Sequence, residues 1–158
     1  MLTLSRTEAE DILYREARLL DQRRYREWLE MFDQVASYWI PCNGEGSDPR
    51  REISLVYDDA AKLRDRIQRL ESGAAHAQSP PSKTSRLISN VEVESAAENL
   101  ATIRSGFILY ELRRSKERIF AGRYEHQLHL TNGHWKIAGK KVVLINNDEV
   151  IDNLTFIV

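Results

Sequence analysis

The strongest structural signal lies in residues 101–146, which read ATIRSGFILYELRRSKERIFAGRYEHQLHLTNGHWKIAGKKVVLIN. Apolar and polar side chains alternate through much of this stretch, as they do in β-strands. Asn132-Gly133 is the strongest hairpin signal in the chain, and Arg114-Ser115-Lys116 and Asn146-Asn147-Asp148 indicate further turns. We therefore predict a run of antiparallel strands. The candidate strands are 86–95, 101–113, 118–131, 135–146 and 150–157.

The N-terminal part is predicted to be helical. Ser5 and Glu8 have the spacing of a capping box, in which each side chain satisfies a free backbone N–H group at a helix start. Asp21 is a candidate cap for a second helix over 23–32. Apolar residues recur at helical spacing in the first helix, at Leu13, Ala17 and Leu20.

Between these helices and the long β region, the sequence predicts two strands, 35–41 and 52–57, joined by the Gly- and Asn-containing loop 43–49. Asp58 and Asp59 then precede a third helix, because carboxylates favour a helix N-terminus. Gly73 is a natural stop for that helix.

Helices followed by consecutive strands predict an α+β fold, with a curved, mostly antiparallel sheet wrapped around the N-terminal helices into a cone. The strand 101–113 has apolar residues on both faces: Phe107 and Leu109 on one, Ile108, Tyr110 and Leu112 on the other. A sheet covered by helices on one side needs only one apolar face. We therefore expect the second face to be buried in an oligomer.

Composition narrows the class of protein. The chain has 158 residues, 42% of them hydrophobic, which is enough for one globular domain with a real core. Its net charge of −1 gives no reason to expect nucleic acid as a partner. No apolar run can span a bilayer, and no secretory signal is evident. The single cysteine, Cys42, forms no intramolecular disulfide, and we expect a cytoplasmic protein.

A set of short motifs follows a distinctive order along nearly the whole chain. They are residues 14–29 YREARLLDQRRYREWL, 38–41 YWIP, 53–59 ISLVYDD, 75–91 AHAQSPPSKTSRLISNV, 120–124 FAGRY, 135–138 WKIA and 152–153 DN. In order and spacing, this set resembles the small (β) subunits of aromatic-ring-hydroxylating dioxygenases. Each motif is weak alone, but the ordered set is specific.

The resemblance implies a single domain over 1–158 with the cone fold of nuclear transport factor 2 and scytalone dehydratase, which is cystatin-like. It also implies a non-catalytic subunit in a hetero-hexamer of three large (α) and three small subunits, in which the small subunits form a trimer. The large subunit would hold a Rieske [2Fe-2S] cluster and a mononuclear Fe(II). Electrons from NAD(P)H would arrive through a reductase, with or without a ferredoxin, and the complex would cis-dihydroxylate an aromatic ring with O2.

The substrate stays open, because the resemblance places substrate choice mostly in the large subunit; a hydrocarbon such as biphenyl and an acid such as benzoate both fit. The chain is somewhat short for the family, and its 43–51 loop looks abbreviated. A Rieske cluster needs two cysteines and two histidines. The single Cys42 therefore excludes such a cluster in this chain.

The 75–86 loop is the best candidate for contact with the large subunit. Pro80 and Pro81 stiffen it. The proposed contact residues are Asp58, Asp59, His76, Gln78, Pro80, Pro81, Ser82, Lys83 and Arg86. The alternatives are structural: Arg86 and Thr84 could simply begin an edge strand, and Asp58 and Asp59 are better explained as a helix start.

No catalytic, cofactor-binding or metal-binding residue is predicted. His126 and His129 could suggest a metal site, but odd spacing on a strand sends them to opposite faces. We expect His126 in the core or a cavity, and His129 exposed or at an interface. Lys136, Lys140 and Lys141 are interpreted as solvated or rim charges.

The alternative hypothesis is a free-standing cone-fold dehydratase or isomerase, with His126, Tyr38 and Asp33 as candidate acids or bases. A roomy cavity with convergent polar groups would favour this enzyme, and a filled cone would favour the subunit. A third possibility is a binding module with no enzyme partner. Aromatic residues that could line a pocket are more often core, namely Tyr25, Trp28, Phe32, Tyr38 and Trp39.

Overall fold

The computed structural model describes residues 3–42, 48–73, 76–147, 149, 151 and 154–158, with only the backbone of residues 76, 95 and 96. The described helices are α1 (Arg6–Asp21), α2 (Tyr25–Leu29), α3 (Ala60–Glu71) and a 3-10 turn (His76–Gln78). The strands are β1 (Phe32–Pro41), β2 (Ser54–Asp59), β3 (Lys83–Ala97), β4 (Leu100–Arg113), β5 (Lys116–Thr131) and β6 (His134–Leu144). No described helix is long and apolar enough to cross a bilayer.

The strands form one six-stranded sheet in the order β2-β1-β6-β5-β4-β3. β1 and β6 run parallel, and all other neighbours are antiparallel. The β5–β6 hairpin turns at Asn132 and Gly133, both with positive φ, as a type I′ turn requires. The α+β class and the mostly antiparallel sheet are therefore confirmed.

Predicted caps begin two of the helices. The Ser5 hydroxyl accepts a hydrogen bond from Glu8 N, and the Glu8 carboxylate accepts one from Ser5 N at 2.8 Å. Asp59 caps α3 by accepting a hydrogen bond from Lys62 N at 2.9 Å. Gly73 has a φ of +73° just after α3, so the predicted stop is also confirmed.

Two predicted elements are wrong. The second helix is only Tyr25–Leu29 and has no side-chain cap, because Asp21 is the last residue of α1 and bonds to β3 instead. The strand predicted over 150–157 is not found in residues 151 and 154–158, where Phe156, Ile157 and Val158 are buried without strand pairing. Most of loop 43–49 and the 152–153 motif lie outside the described residues.

The two faces of the sheet differ in burial. Phe107 and Leu109 belong to the core that the sheet forms with α1, which packs against β3. Leu87, Ile108 and Ile119 lie on the opposite face and are 67%, 49% and 69% exposed. Leu87 pairs with Ile108 across β3 and β4, so these residues form an outer apolar patch. The predicted second apolar face is thus present.

The backbones of β5 and β6 approach each other closely at Gly122, and a substitution there tests the packing of these two strands. A Cβ at Gly122 would lie 2.1 Å from the Val143 carbonyl oxygen of β6. Gly122→Ala should therefore lower the free energy of unfolding by about 3 kcal/mol, the upper range for overpacking. At Gly106 the nearest atom is the movable Ser89 Oγ at 3.2 Å, so Gly106→Ala should cost much less. Urea unfolding of both variants measures this, and equal losses would contradict the register described.

Candidate functional site

The core contains a charge cluster of Glu16, His126 and Lys140. Glu16 lies on the buried face of α1, three residues after Leu13, and is 3% exposed. His126 and Lys140 face each other across β5 and β6 and are 0% and 1% exposed. Helical spacing and strand pairing therefore bring three ionisable side chains from three elements together inside the cone.

Glu16 is the centre of the charge cluster. Its Oε1 accepts a hydrogen bond from His126 Nε2 at 2.8 Å and lies 3.2 Å from Lys140 Nζ. Its Oε2 accepts a hydrogen bond from Trp28 Nε1 at 2.9 Å. Lys140 Nζ also lies 4.5 Å from the centre of the Tyr124 ring, a cation–π distance. The carboxylate thus has a donor or cation on both oxygens.

The charge cluster shifts the pKa values of its members. Burial by itself raises the pKa of Glu16, but the charges of Lys140 and His126 and the hydrogen bonds from His126 and Trp28 outweigh it. They hold the pKa of Glu16 well below its usual value. Burial lowers the pKa of Lys140 to about 8, against the opposing attraction of Glu16. Glu16 is therefore ionised at neutral pH.

Two of the candidate acids and bases of the enzyme hypothesis, Tyr38 and His126, are buried, and the third, Asp33, is partly exposed. Tyr38 is buried, and its hydroxyl is bonded to Val158. Asp33 lies 3.3 Å from the ring of His129, which is half-exposed as predicted. His126 is fully buried and bonded to Glu16, as predicted for a core histidine. Tyr38 and His126 are thus closed to solvent, and within the described residues the buried Tyr124 Oη and His126 Nδ1 atoms have no hydrogen-bond partner.

A metal site is not found within the ranges described in the structure. There, no group of three or more His, Cys, Asp and Glu residues is placed to hold a metal ion. His126 and His129 lie on opposite faces of β5, as the strand spacing predicts. The prediction that strand spacing places these two histidines on opposite faces is confirmed.

Several proposed contact residues point inward. Asp58 is buried and accepts two hydrogen bonds from Arg66, at 2.6 and 3.1 Å. Ser82 is buried, and Arg86 is paired with Asp21 at the end of α1. Asp59 caps α3. These side chains therefore hold the local backbone in place.

Other members of the same set lie at the surface. Pro80, Pro81 and Lys83 are exposed, and Gln78 is partly exposed. The peptide bond between Ser79 and Pro80 is cis. The backbone of this segment is held by Arg113 Nε, which donates to Pro80 O at 2.9 Å. The side chain of His76 lies outside the described residues.

The chain resembles known proteins both in sequence and in structure. Residues 15–152 match the family model described as ring hydroxylating beta subunit. The chain belongs to this family. The β-subunit resemblance predicted from the ordered motifs is therefore confirmed, and the chain is a small subunit of a ring-hydroxylating oxidoreductase complex.

Individual relatives agree with the β-subunit assignment. The chain is 35% identical to the 2-halobenzoate 1,2-dioxygenase small subunit of Burkholderia cepacia, over 89% of each chain. It is 30% identical to the β subunit of benzoate 1,2-dioxygenase from Burkholderia mallei, with a TM-score of 0.79 over 99% of this chain and 100% of the other.

The fold extends beyond the β subunits. An NTF2-like protein with a cystatin-like fold from Novosphingobium aromaticivorans has a TM-score of 0.60 at 15% identity, covering 89% of this chain and 82% of its own. This likeness concerns the fold alone. It confirms the predicted cystatin-like, NTF2-like cone.

The sequence interpretation missed the charge cluster of this β subunit. The prediction that Lys140 is solvated is wrong, because Lys140 is buried beside Glu16. A signal was present: Lys140 shares the two-residue period of Val142 and Leu144, which face the core. Likewise, Glu16 lies among the apolar positions of α1.

Loss of the Glu16 charge should destabilise the β subunit strongly. Glu16→Gln keeps the size of the side chain but leaves Lys140 buried without its counter-charge, so we expect a loss of about 3–5 kcal/mol in unfolding free energy. Glu98→Gln, at an exposed position, should change it by less than about 0.5 kcal/mol. Guanidinium unfolding at pH 7 measures both. A Glu16→Gln variant as stable as the parent would show that the charge cluster is dispensable.

Lys140 should produce a measurable dependence of stability on pH. The folded chain releases its proton from about pH 8, while the unfolded chain keeps it up to its ordinary pKa of 10.5. Between these values the unfolded state binds more protons, so the contribution of Lys140 makes stability rise with pH. Lys140→Met should remove this rise, and Lys141→Met should retain it. Urea unfolding from pH 7.5 to 10 distinguishes them; equal slopes in all three proteins would contradict the shift.

Proposed function

We propose that the chain is a non-catalytic, cytoplasmic scaffold subunit that holds together an aromatic-ring-hydroxylating dioxygenase. The observation that carries this proposal is the β-subunit family match combined with the burial of Glu16, His126 and Lys140 inside the cone. Ionisable groups that are closed to solvent are suited to holding a fold together and are badly placed to meet a substrate. In this proposal the chain carries no cofactor.

The proposed assembly is a hetero-hexamer of three large and three small subunits. The large subunit would carry the Rieske [2Fe-2S] cluster and the mononuclear Fe(II), and would receive electrons from NAD(P)H through a reductase and, in some systems, a ferredoxin. The outer apolar patch of Leu87, Ile108 and Ile119 supports self-association, since large exposed apolar areas mark protein contacts. We assign this patch to the small-subunit trimer.

Contact with the large subunit is proposed for the 75–86 loop. Pro80, Pro81 and Lys83 are exposed members of the set and would touch the partner directly. The buried Ser82 and Arg86 would act indirectly by fixing this segment, and the buried Asp58 would hold α3 through Arg66. Asp59, His76 and Gln78 complete the proposed contact set, which forms one domain with the rest of 1–158.

The substrate of the complex is proposed to be an aromatic carboxylate. The support is that two relatives named above act, by their descriptions, on 2-halobenzoate and benzoate. This narrows the choice that the sequence left open between an acid and a hydrocarbon. Turnover of benzoate and of biphenyl by the purified complex would separate the two classes.

Co-purification with a Rieske-type large subunit tests the proposed function. Expressed together, the two chains should elute as one hexamer of equal subunit content, with iron and acid-labile sulfide in the large subunit. The small chain alone should contain no iron and turn over no aromatic substrate. A monomer that binds no such partner, or turnover by the small chain alone, would contradict the proposal.

Two charge-changing variants separate the two proposed interfaces. Lys83→Glu should weaken co-purification with the large subunit at least tenfold while leaving small-subunit self-association intact. Ile119→Asp should do the reverse, because it places a charge in the outer apolar patch. Lys62→Glu, at an exposed position of α3, is the matched control and should affect neither. Identical effects of the first two variants would mean that the interfaces are wrongly assigned.

A further inference from the structure

The C-terminal residues Leu154–Val158, here called the tail, are partly or fully buried without belonging to the sheet. Phe156, Ile157 and Val158 are 6%, 2% and 0% exposed, although none of them lies in a strand. Burial without strand pairing leaves backbone N–H and C=O groups that need other partners. The tail is therefore held by something other than a β-ladder.

Side chains from separate elements bind the tail. The Tyr38 hydroxyl of β1 accepts a hydrogen bond from Val158 N at 3.0 Å and donates one to Val158 O at 3.3 Å. Arg86 of β3 donates from Nη2 to Ile157 O. Gln78 of the 75–86 loop donates from Nε2 to Thr155 Oγ1 at 2.7 Å. Both main-chain and side-chain groups of the tail are thus hydrogen-bonded by side chains of other elements.

An aromatic pocket receives Phe156. Its ring lies edge-on to Phe120 of β5, with ring centres 5.5 Å apart. The Arg118 guanidinium lies 5.1 Å from the Phe120 ring and 5.9 Å from the Phe156 ring. Glu111, 2% exposed, holds that guanidinium with hydrogen bonds of 3.0 Å. The pocket is therefore rigid on the side of the sheet.

We propose that this end of the cone is a peptide-binding site and that the tail is its resident ligand. The site takes an extended peptide in which an aromatic residue is followed by two aliphatic residues. Phe120 and Arg118 receive the aromatic ring, and Tyr38 and Arg86 bind the two main-chain carbonyls that follow. None of these contacts requires the peptide to be covalently attached, so the site binds the same sequence in trans once the tail is weakened.

The attached tail competes with a free peptide for the site, and this competition determines how tightly the free peptide binds. A short connection gives the attached tail an effective concentration on the order of millimolar, so it blocks a free peptide in the unmodified chain. Phe156→Ala removes the aromatic anchor of the tail and leaves the pocket of Phe120 and Arg118 in place. The variant should therefore bind the free peptide that the parent excludes.

The test uses the full 158-residue chain and the peptide Leu-Thr-Phe-Ile-Val, amidated at its end and labelled with fluorescein at its start. By fluorescence anisotropy, Phe156→Ala should bind this peptide at least tenfold more tightly than the parent chain does. Unlabelled peptide should compete, and a peptide with Ala in place of Phe should bind at least tenfold more weakly. Adding Tyr38→Phe to Phe156→Ala should weaken binding, because the hydroxyl contacts to Val158 are lost.

A second variant keeps the test decisive if Phe156→Ala does not fold. Thr155→Ala removes the contact of the tail to Gln78 at a partly exposed position and leaves Gln78 free to bind the Thr of the peptide, so it should raise peptide binding above that of the parent. Thr131→Ala, the same change at an exposed position of β5 outside the site, is the matched control and should behave like the parent. The proposal would be overturned if the parent and the variants bound the peptide equally, or if folded variants did not bind it. It would also be overturned if replacing the Phe of the peptide by Ala left binding unchanged. All arms use the isolated chain, so failure here leaves the proposed function untouched.

Discussion

The ion pair between Glu16 and Lys140 is the constraint on which the interior depends. A carboxylate and an ammonium group taken out of water are costly unless each is paired and hydrogen-bonded. Here the pairing also fixes geometry, because Glu16 belongs to α1, while His126 and Lys140 belong to β5 and β6. The helix can therefore occupy the cone in only one rotation and depth. Apolar packing alone would tolerate several rotations and depths of the helix.

The same charge cluster occupies part of the interior of the cone. In an α+β cone, the space beneath the helices can hold a ligand. In this chain the space is taken from one side by the charge cluster and from the other by the tail, whose Val158 reaches the Tyr38 hydroxyl. The inward members of the 75–86 loop belong to the same arrangement, since Arg86 bonds both Asp21 of α1 and Ile157 of the tail. Loop, tail and helix thus share one set of contacts.

Short sequence motifs predict those helix caps and turns whose structure depends on neighbouring residues alone. The capping box at Ser5 and Glu8, the Asp59 cap and the turn at Asn132-Gly133 depend on a few neighbouring residues, and all were predictable. The burial of Lys140 was indicated only by its strand period, and the position of the tail by no local signal, because the surroundings of both come from distant segments. A lysine is ordinarily exposed, and only Glu16, far away in sequence, makes burial tolerable. An apolar segment such as 154–158 has the composition of a strand, but no free sheet edge receives it.

The parallel pairing of β1 with β6 has a consequence for biosynthesis. α1 and β1 are made long before β6, which separates β1 from β5 in the sheet. Glu16 meets His126 only after 110 further residues have been added, and Tyr38 waits 120 residues for Val158. During that interval the N-terminal third carries an unpaired carboxylate on its apolar helix face. The core is therefore completed only after these distant segments have been made, and contacts of such long range are slow to form. The chain can therefore form its complete subunit-binding surfaces only after β6 has been made and has paired in the sheet.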